Sequence, residues 1–103
     1  MKKAFILVTA FTIAAFVSGT ACTGKSGEAL FQQHCSQCHP NGSNNVNPQK
    51  TLVRRDRETN GVMTVSDIVG KMRNPGPGMT KFDEKTIPDA DAKKIAEYVL
   101  RTF

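Results

Sequence analysis

A chain of 103 residues has room for one domain, and 39% hydrophobic content leaves it only a small core. Fourteen Lys and Arg against nine Asp and Glu give a formal charge of +5. A mild basic excess of this kind suits an acidic protein partner; the basic and aromatic patterning that nucleic-acid binding needs is missing.

The chain opens with Met1-Lys2-Lys3, continues with fourteen mostly apolar residues, Ala4 to Val17, and then reads Ser18-Gly19-Thr20-Ala21. A basic start, a short apolar run and small residues are the pattern of a secretory signal peptide. The run is too short to span a membrane, which takes about twenty apolar residues. Residues 1–21 are therefore expected to be a leader and residues 22–103 the working domain, exported to the periplasm. Removing the leader takes two lysines with it and lowers the formal charge to +3. Cys22 could be acylated as a lipid anchor, but Gly19 stands where a lipobox prefers a Leu-like residue, so a free mature chain is the favoured reading.

Ser26 is suited to cap a first helix, with Glu28 in its first turn. Helical spacing through Gly27, Leu30, Phe31 and Cys35 carries that helix into Cys35-Ser36-Gln37-Cys38-His39, and Pro40-Asn41-Gly42 stops it. Two cysteines separated by two residues and followed at once by histidine form a c-type haem attachment motif. Each thiol can add to a haem vinyl group as a thioether, and the imidazole can bind iron on the proximal side. On a helix Cys35, Cys38 and His39 share one face, against which a flat macrocycle can lie. A thioredoxin-like dithiol would follow a buried strand, and none precedes this one. A zinc knuckle would need a second spaced pair of ligands, and the chain offers only Cys22 and His34. His34 is read as a surface residue.

Asn41 to Gln49 reads as an ordered polar loop on the proximal side. A metal-bound histidine usually donates its second N–H to a carbonyl or carboxylate, and the carbonyl of Pro48 or a close neighbour is the expected acceptor. A short polar helix within Thr51 to Asn60 should end at Asn60-Gly61. Lys50, Arg54, Arg55 and Arg57 could dock an acidic partner, but a solvated helix face is the favoured reading.

Thr64 and Asp67 have the spacing of a capping box for the next helix, whose Val65, Ile68, Val69 and Met72 form an apolar stripe facing the haem or the other helices. The helix cannot pass Asn74-Pro75. The following loop, with Pro75, Gly76, Pro77 and Gly78 before Met79, suits backbone that runs close to a flat ligand and presents one side chain at a fixed point. Met79 is the candidate distal ligand, with Met63 and Met72 as rivals, and Phe82 is a core aromatic able to pack on the haem edge. A last helix should begin after Ile87-Pro88 with Asp89 as its cap, burying Ala92, Ile95, Ala96 and Val99. Three or four short helices joined by long loops bury little surface, so the haem is expected to be the centre of the core as well as the cofactor.

With these residues in place the sequence resembles a class I monohaem cytochrome c, most similar to cytochrome c6 and its small bacterial relatives. The resemblance rests on Gly27 and Phe31 ahead of the haem motif, Asn47-Pro48-Gln49-Lys50-Thr51-Leu52, Asn60-Gly61, Met79 with Phe82, and Ile95 with Tyr98-Val99-Leu100. It implies an all-α fold wrapped around one covalently attached haem c. Gly27 and Phe31 would cross Ile95 and Tyr98, Met79 would be the distal ligand, and Pro48 the proximal proline. Cys35, Cys38, Pro48, Leu52, Ile68, Met72 and Phe82 would hold the haem, and His39 and Met79 its iron. The implied activity is single-electron carriage between protein partners by a monomer, with no enzymatic reaction of its own. The competing reading is a ligand-binding or weakly peroxidatic haem protein with a labile Met79. The chain departs from its relatives at Thr80, where proline often follows the ligand methionine, and in the proline content of the loop before it.

Overall fold

The computed structural model describes residues 24–103. The leader assigned to residues 1–21 and the cysteine at position 22 lie outside the described residues. The fold is all-helical, with no strand among the described residues.

Helix α1, Gly27–His34, starts where Ser26 Oγ accepts the amide of Ala29 at 3.1 Å, with Glu28 in the first turn. It stops one residue short of the haem motif, earlier than the helical spacing predicts. The amides of Cys35 and Ser36 both donate to the carbonyl of Phe31, at 2.8 and 3.0 Å, and this shared acceptor winds the helix off. The chain then makes a one-turn 3-10 helix over Pro40–Gly42, with Asn41 at φ +53° and Gly42 at φ +79°.

Helix α2, Arg54–Thr59, ends as its sequence predicts, with Asn60 as cap and Gly61 beyond it at φ +71°. Helix α3, Val65–Arg73, carries the full capping box: Thr64 Oγ1 accepts from the amide of Asp67, and the Asp67 carboxylate accepts the amide of Thr64 at 3.0 Å. It stops at Asn74, before Pro75.

Helix α4, Asp89–Thr102, is capped by Pro88 in place of the expected Asp89. Extended at ψ 154°, Pro88 offers its carbonyl to Ala92 at 2.9 Å, so the helix is already under way at Asp89. The Asp89 carboxylate is thereby free to pair with Arg73 at 2.7 Å, tying α3 to the start of α4.

The core is one cluster of Leu30, Phe31, Ile68, Met72, Ile87, Ala92, Ile95, Ala96 and Val99, drawn from α1, α3, α4 and the loop before α4. Burying a side chain the size of Phe31 or Ile95 is worth roughly 1.5–3 kcal/mol over leaving it exposed. Helices α1 and α4 cross at Gly27, where any Cβ would run into the carbonyl of Lys94 and stand 3.1 Å from Tyr98 Cβ. Beside that crossing Phe31, Tyr98 and Phe103 form an aromatic triad with centroids 5.3 to 5.8 Å apart. The expected contact of Gly27 and Phe31 with the last helix is thus present.

Candidate haem-attachment site

The motif residues occupy a tight turn hung from the end of α1. The amides of Cys38 and His39 both return to the carbonyl of Cys35, at 3.2 and 2.9 Å, which keeps the helical sense of winding past the helix end. Cys35 is half-buried against the core, and burial pushes its thiol up to about 11. Cys38 is exposed.

His39 is half-buried, and its Nδ1 lies 2.8 Å from the carbonyl oxygen of Ser43. A carbonyl only accepts, so Nδ1 carries the hydrogen and Nε2 keeps its lone pair for a metal. The expected acceptor was Pro48 or a neighbour; Pro48 is exposed, and Ser43 takes the role. The physical reason is the turn between them: Asn41 and Gly42, both at positive φ, fold the chain back so that the carbonyl four residues on meets the ring. The Pro40-Asn41-Gly42 signal for this fold-back was present in the sequence but read only as a helix stop.

The loop beyond is ordered by its asparagines. Asn44 Oδ1 accepts the amides of Val46 and Asn47 at 2.9 and 2.8 Å, and Asn44 Nδ2 donates to the carbonyl of Lys50 at 2.8 Å. Half-buried Leu52 packs on the core and donates its amide to the carbonyl of Gly42 at 2.7 Å. A Cβ on Gly42 would stand 2.6 Å from the ring of Phe103, so the end of α4 braces the turn that carries Ser43.

Met79 is half-buried in the proline-rich loop. Gly78 before it has φ +89°, and a Cβ there would lie 2.7 Å from Val46 Cγ1, so the loop with Met79 meets the tip of the loop from the other side. Of its rivals, Met72 is buried in the core at 4% exposure, while Met63 is 47% exposed on a linker. Ile68 is buried beside Met72. Phe82 is half-buried, donates its amide to the carbonyl of Met72 at 2.9 Å and accepts from Arg73 Nη1 at 3.1 Å. His34, expected at the surface, is half-buried with its ring edge-on to Phe82, centroids 6.1 Å apart.

Sequence reasoning placed Arg57 on a solvated face. It is buried at 5% exposure, and its Nε donates to the carbonyl of Leu52 at 2.8 Å. Arg54 and Arg55 do face solvent and pair with Glu58 and Asp56.

The donor set fits a covalently bound haem: two thiols on one turn, and an imidazole with its outer nitrogen satisfied and its inner one available. Among the described residues no three His, Cys, Asp or Glu side chains converge as a structural zinc would require.

Residues 23–99 match the family described as cytochrome c oxidase, cbb3-type, subunit III. Cytochrome c6 of Synechocystis sp. is 40% identical over 74 residues, which cover 72% of this chain and 61% of that protein's length. Cytochrome c6 of Bumilleriopsis filiformis is 36% identical over 74% of this chain and 87% of its own. Among solved structures, the outer membrane cytochrome OmcF of Geobacter sulfurreducens is 55% identical, superposes with a TM-score of 0.74, and covers 76% of this chain and 99% of its own. Fold, motif and relatives together define a c-type cytochrome, a protein that carries electrons. The chain belongs to the small monohaem class I branch, which it shares with cytochrome c6, and it carries one covalently bound haem c.

Proposed function

We propose that the protein is an exported carrier of single electrons whose haem is fixed by thioethers to Cys35 and Cys38, with iron ligated by His39 and Met79. The observation that carries this reading is the 2.8 Å contact from His39 Nδ1 to the Ser43 carbonyl, which leaves Nε2 as a donor of fixed direction. When bound, the haem supplies an iron centre that exchanges one electron. The chain's own residues set the terms of that exchange. Met79 contributes a soft thioether sulfur, which favours the reduced state relative to a second histidine. Leu52, Ile68, Met72 and Phe82 exclude water on the core side, and a poorly solvated centre resists gaining the extra positive charge of oxidation. Pro48 would stand at the proximal rim of the bound haem.

The exposed Lys50, Arg54 and Arg55 give the α2 side a basic face, part-balanced by Glu58 and Asp56. It would steer a partner with an acidic docking surface, with an encounter rate that falls as salt rises. The protein acts as a monomer and binds no nucleic acid. No helix among the described residues is long and apolar enough to cross a membrane. The signal-like residues 1–21 support export to the periplasm. The name of the relative from Geobacter sulfurreducens supports a place beyond the inner membrane. Acylation of Cys22 would anchor the protein there, and the mass of the mature N-terminus separates the anchored form from the free one.

The visible spectrum of the oxidised protein tests the coordination. A far-red sulfur-to-iron charge-transfer band is expected, and it should disappear in Met79→Ala. High-spin iron that takes up carbon monoxide readily in the parent protein would overturn six-coordination and favour the ligand-binding alternative.

A further inference from the structure

Arg57 is a cation enclosed at 5% exposure. A buried charge is tolerated only when paired, yet Arg57 has no part in any ion pair among the described residues. The carboxylates nearest in sequence are engaged elsewhere: Asp56 accepts from Thr51 and contacts Arg55, and Glu58 holds Arg54. Among the described residues the guanidinium makes one hydrogen bond, from Nε to the carbonyl of Leu52. The rest of its planar fork, suited to a carboxylate, has no acceptor among the described residues; no fully buried side-chain nitrogen among them lacks a partner, so the ends of the fork stay open to an incoming group.

That one bond places the group. Leu52 donates its amide to the carbonyl of Gly42, and Gly42 precedes Ser43, which holds His39. Arg57 is thus tied by two successive hydrogen bonds to the turn that orients the proximal histidine. The one anionic partner this family adds to the fold is the haem itself, whose two propionates are carboxylates. We infer that Arg57 is the counter-ion of a haem propionate, its side chain held beside the proximal loop with the ends of the guanidinium open to that group. The pairing rests on the presence of haem c and is independent of the identity of the sixth ligand. A cation so placed also disfavours the extra positive charge of the ferric state, so it holds the reduction potential up.

Resonance Raman spectroscopy of the holoprotein reads the pairing directly, because the propionate bending band reports hydrogen bonding to the carboxylate. Arg57→Gln keeps a donor for Leu52 and removes the charge; Arg57→Lys keeps the charge. The propionate band should shift in Arg57→Gln and the potential should fall, with Arg57→Lys restoring most of the potential. An unshifted band and an unchanged potential in Arg57→Gln would overturn the inference. If neither variant assembles, the parent decides: a propionate band at the position of a hydrogen-bonded carboxylate supports the pairing, and one at the position of a free carboxylate overturns it. Loss of the far-red band in any of these proteins would bear on Met79 and leave the pairing untouched.

Discussion

Gly27 lies so close to Lys94 that the missing side chain is what lets α1 and α4 cross: a methyl group there would strike the carbonyl oxygen of Lys94 and press on Tyr98 Cβ at 3.1 Å. Backbone cannot yield as a flexible side-chain tip can. Gly27→Ala should therefore destabilise the holoprotein by about 1–3 kcal/mol, the usual cost of overpacking. Gly70, in the middle of α3 with nothing within 4 Å, is the control. Gly70→Ala should stabilise by about 0.5–1 kcal/mol through helix propensity alone. Denaturant melts of the two variants should move in opposite directions.

A second matched pair of glycines separates backbone strain from packing. Gly42 and Gly61 both have positive φ, +79° and +71°, but only Gly42 faces an obstacle, the Phe103 ring. Gly61→Ala should cost roughly 1–2 kcal/mol for the left-handed backbone. Gly42→Ala should cost about 1–3 kcal/mol more, because the ring must also move. Equal midpoints in thermal melts of the two variants would show that Phe103 does not brace the turn.

The capping box of α3 should show in both mutation and pH. Thr64→Ala is expected to cost about 1 kcal/mol. The amides of Met63 and Thr64 hold the Asp67 carboxyl below its ordinary value. A carboxyl depressed in the folded state adds stability that is complete above its unfolded value and is lost as pH falls through the folded one. The stability gap between the parent and Asp67→Ala should thus be full at neutral pH and close as pH drops below about 4.

Removal of the haem should leave the chain largely unfolded, because the core cluster alone is small for a domain of this length. The two thiols report this. In the folded frame Cys35 is half-buried and pushed up to about 11, so at neutral pH it would hold on the order of a hundredfold less thiolate than an ordinary cysteine and react far more slowly than exposed Cys38. Alkylation of the haem-free chain, followed by mass spectrometry, is expected to modify both at similar rates. Protection of Cys35 alone would show that the frame stands without its cofactor.

Local signals account for most of what the sequence made readable. Ser26, the Thr64 and Asp67 pair, Asn60-Gly61 and Asn74-Pro75 act over three or four residues, and each helix end they mark is present. The apolar spacings of α3 and α4 picked Ile68, Met72, Ala92, Ile95, Ala96 and Val99, all buried. Three features depended on which partner a side chain meets once the chain is folded. Arg57 sits on a helix that reads as solvated throughout, but its side chain is buried and turns back to the carbonyl of Leu52, five residues earlier. The acceptor for His39 depended on two consecutive positive φ values, which Asn41-Gly42 permits and does not compel. Asp89 has the chemistry of a cap, but Pro88 holds the cap position, and the Asp89 carboxylate pairs instead with Arg73, sixteen residues earlier. Within the site, the attachment motif was legible from residue type; Ser43 as the orienting acceptor was not.

The contact of Gly78 with Val46 makes the two sides of the site mechanically continuous. Val46 is 58% exposed, yet its Cγ1 would stand only 2.7 Å from a Cβ on Gly78, the residue before Met79. No helix lies between them to absorb a displacement. A partner landing on Val46 would therefore press on Gly78, and the freedom of the loop carrying Met79 would depend on whatever is docked there.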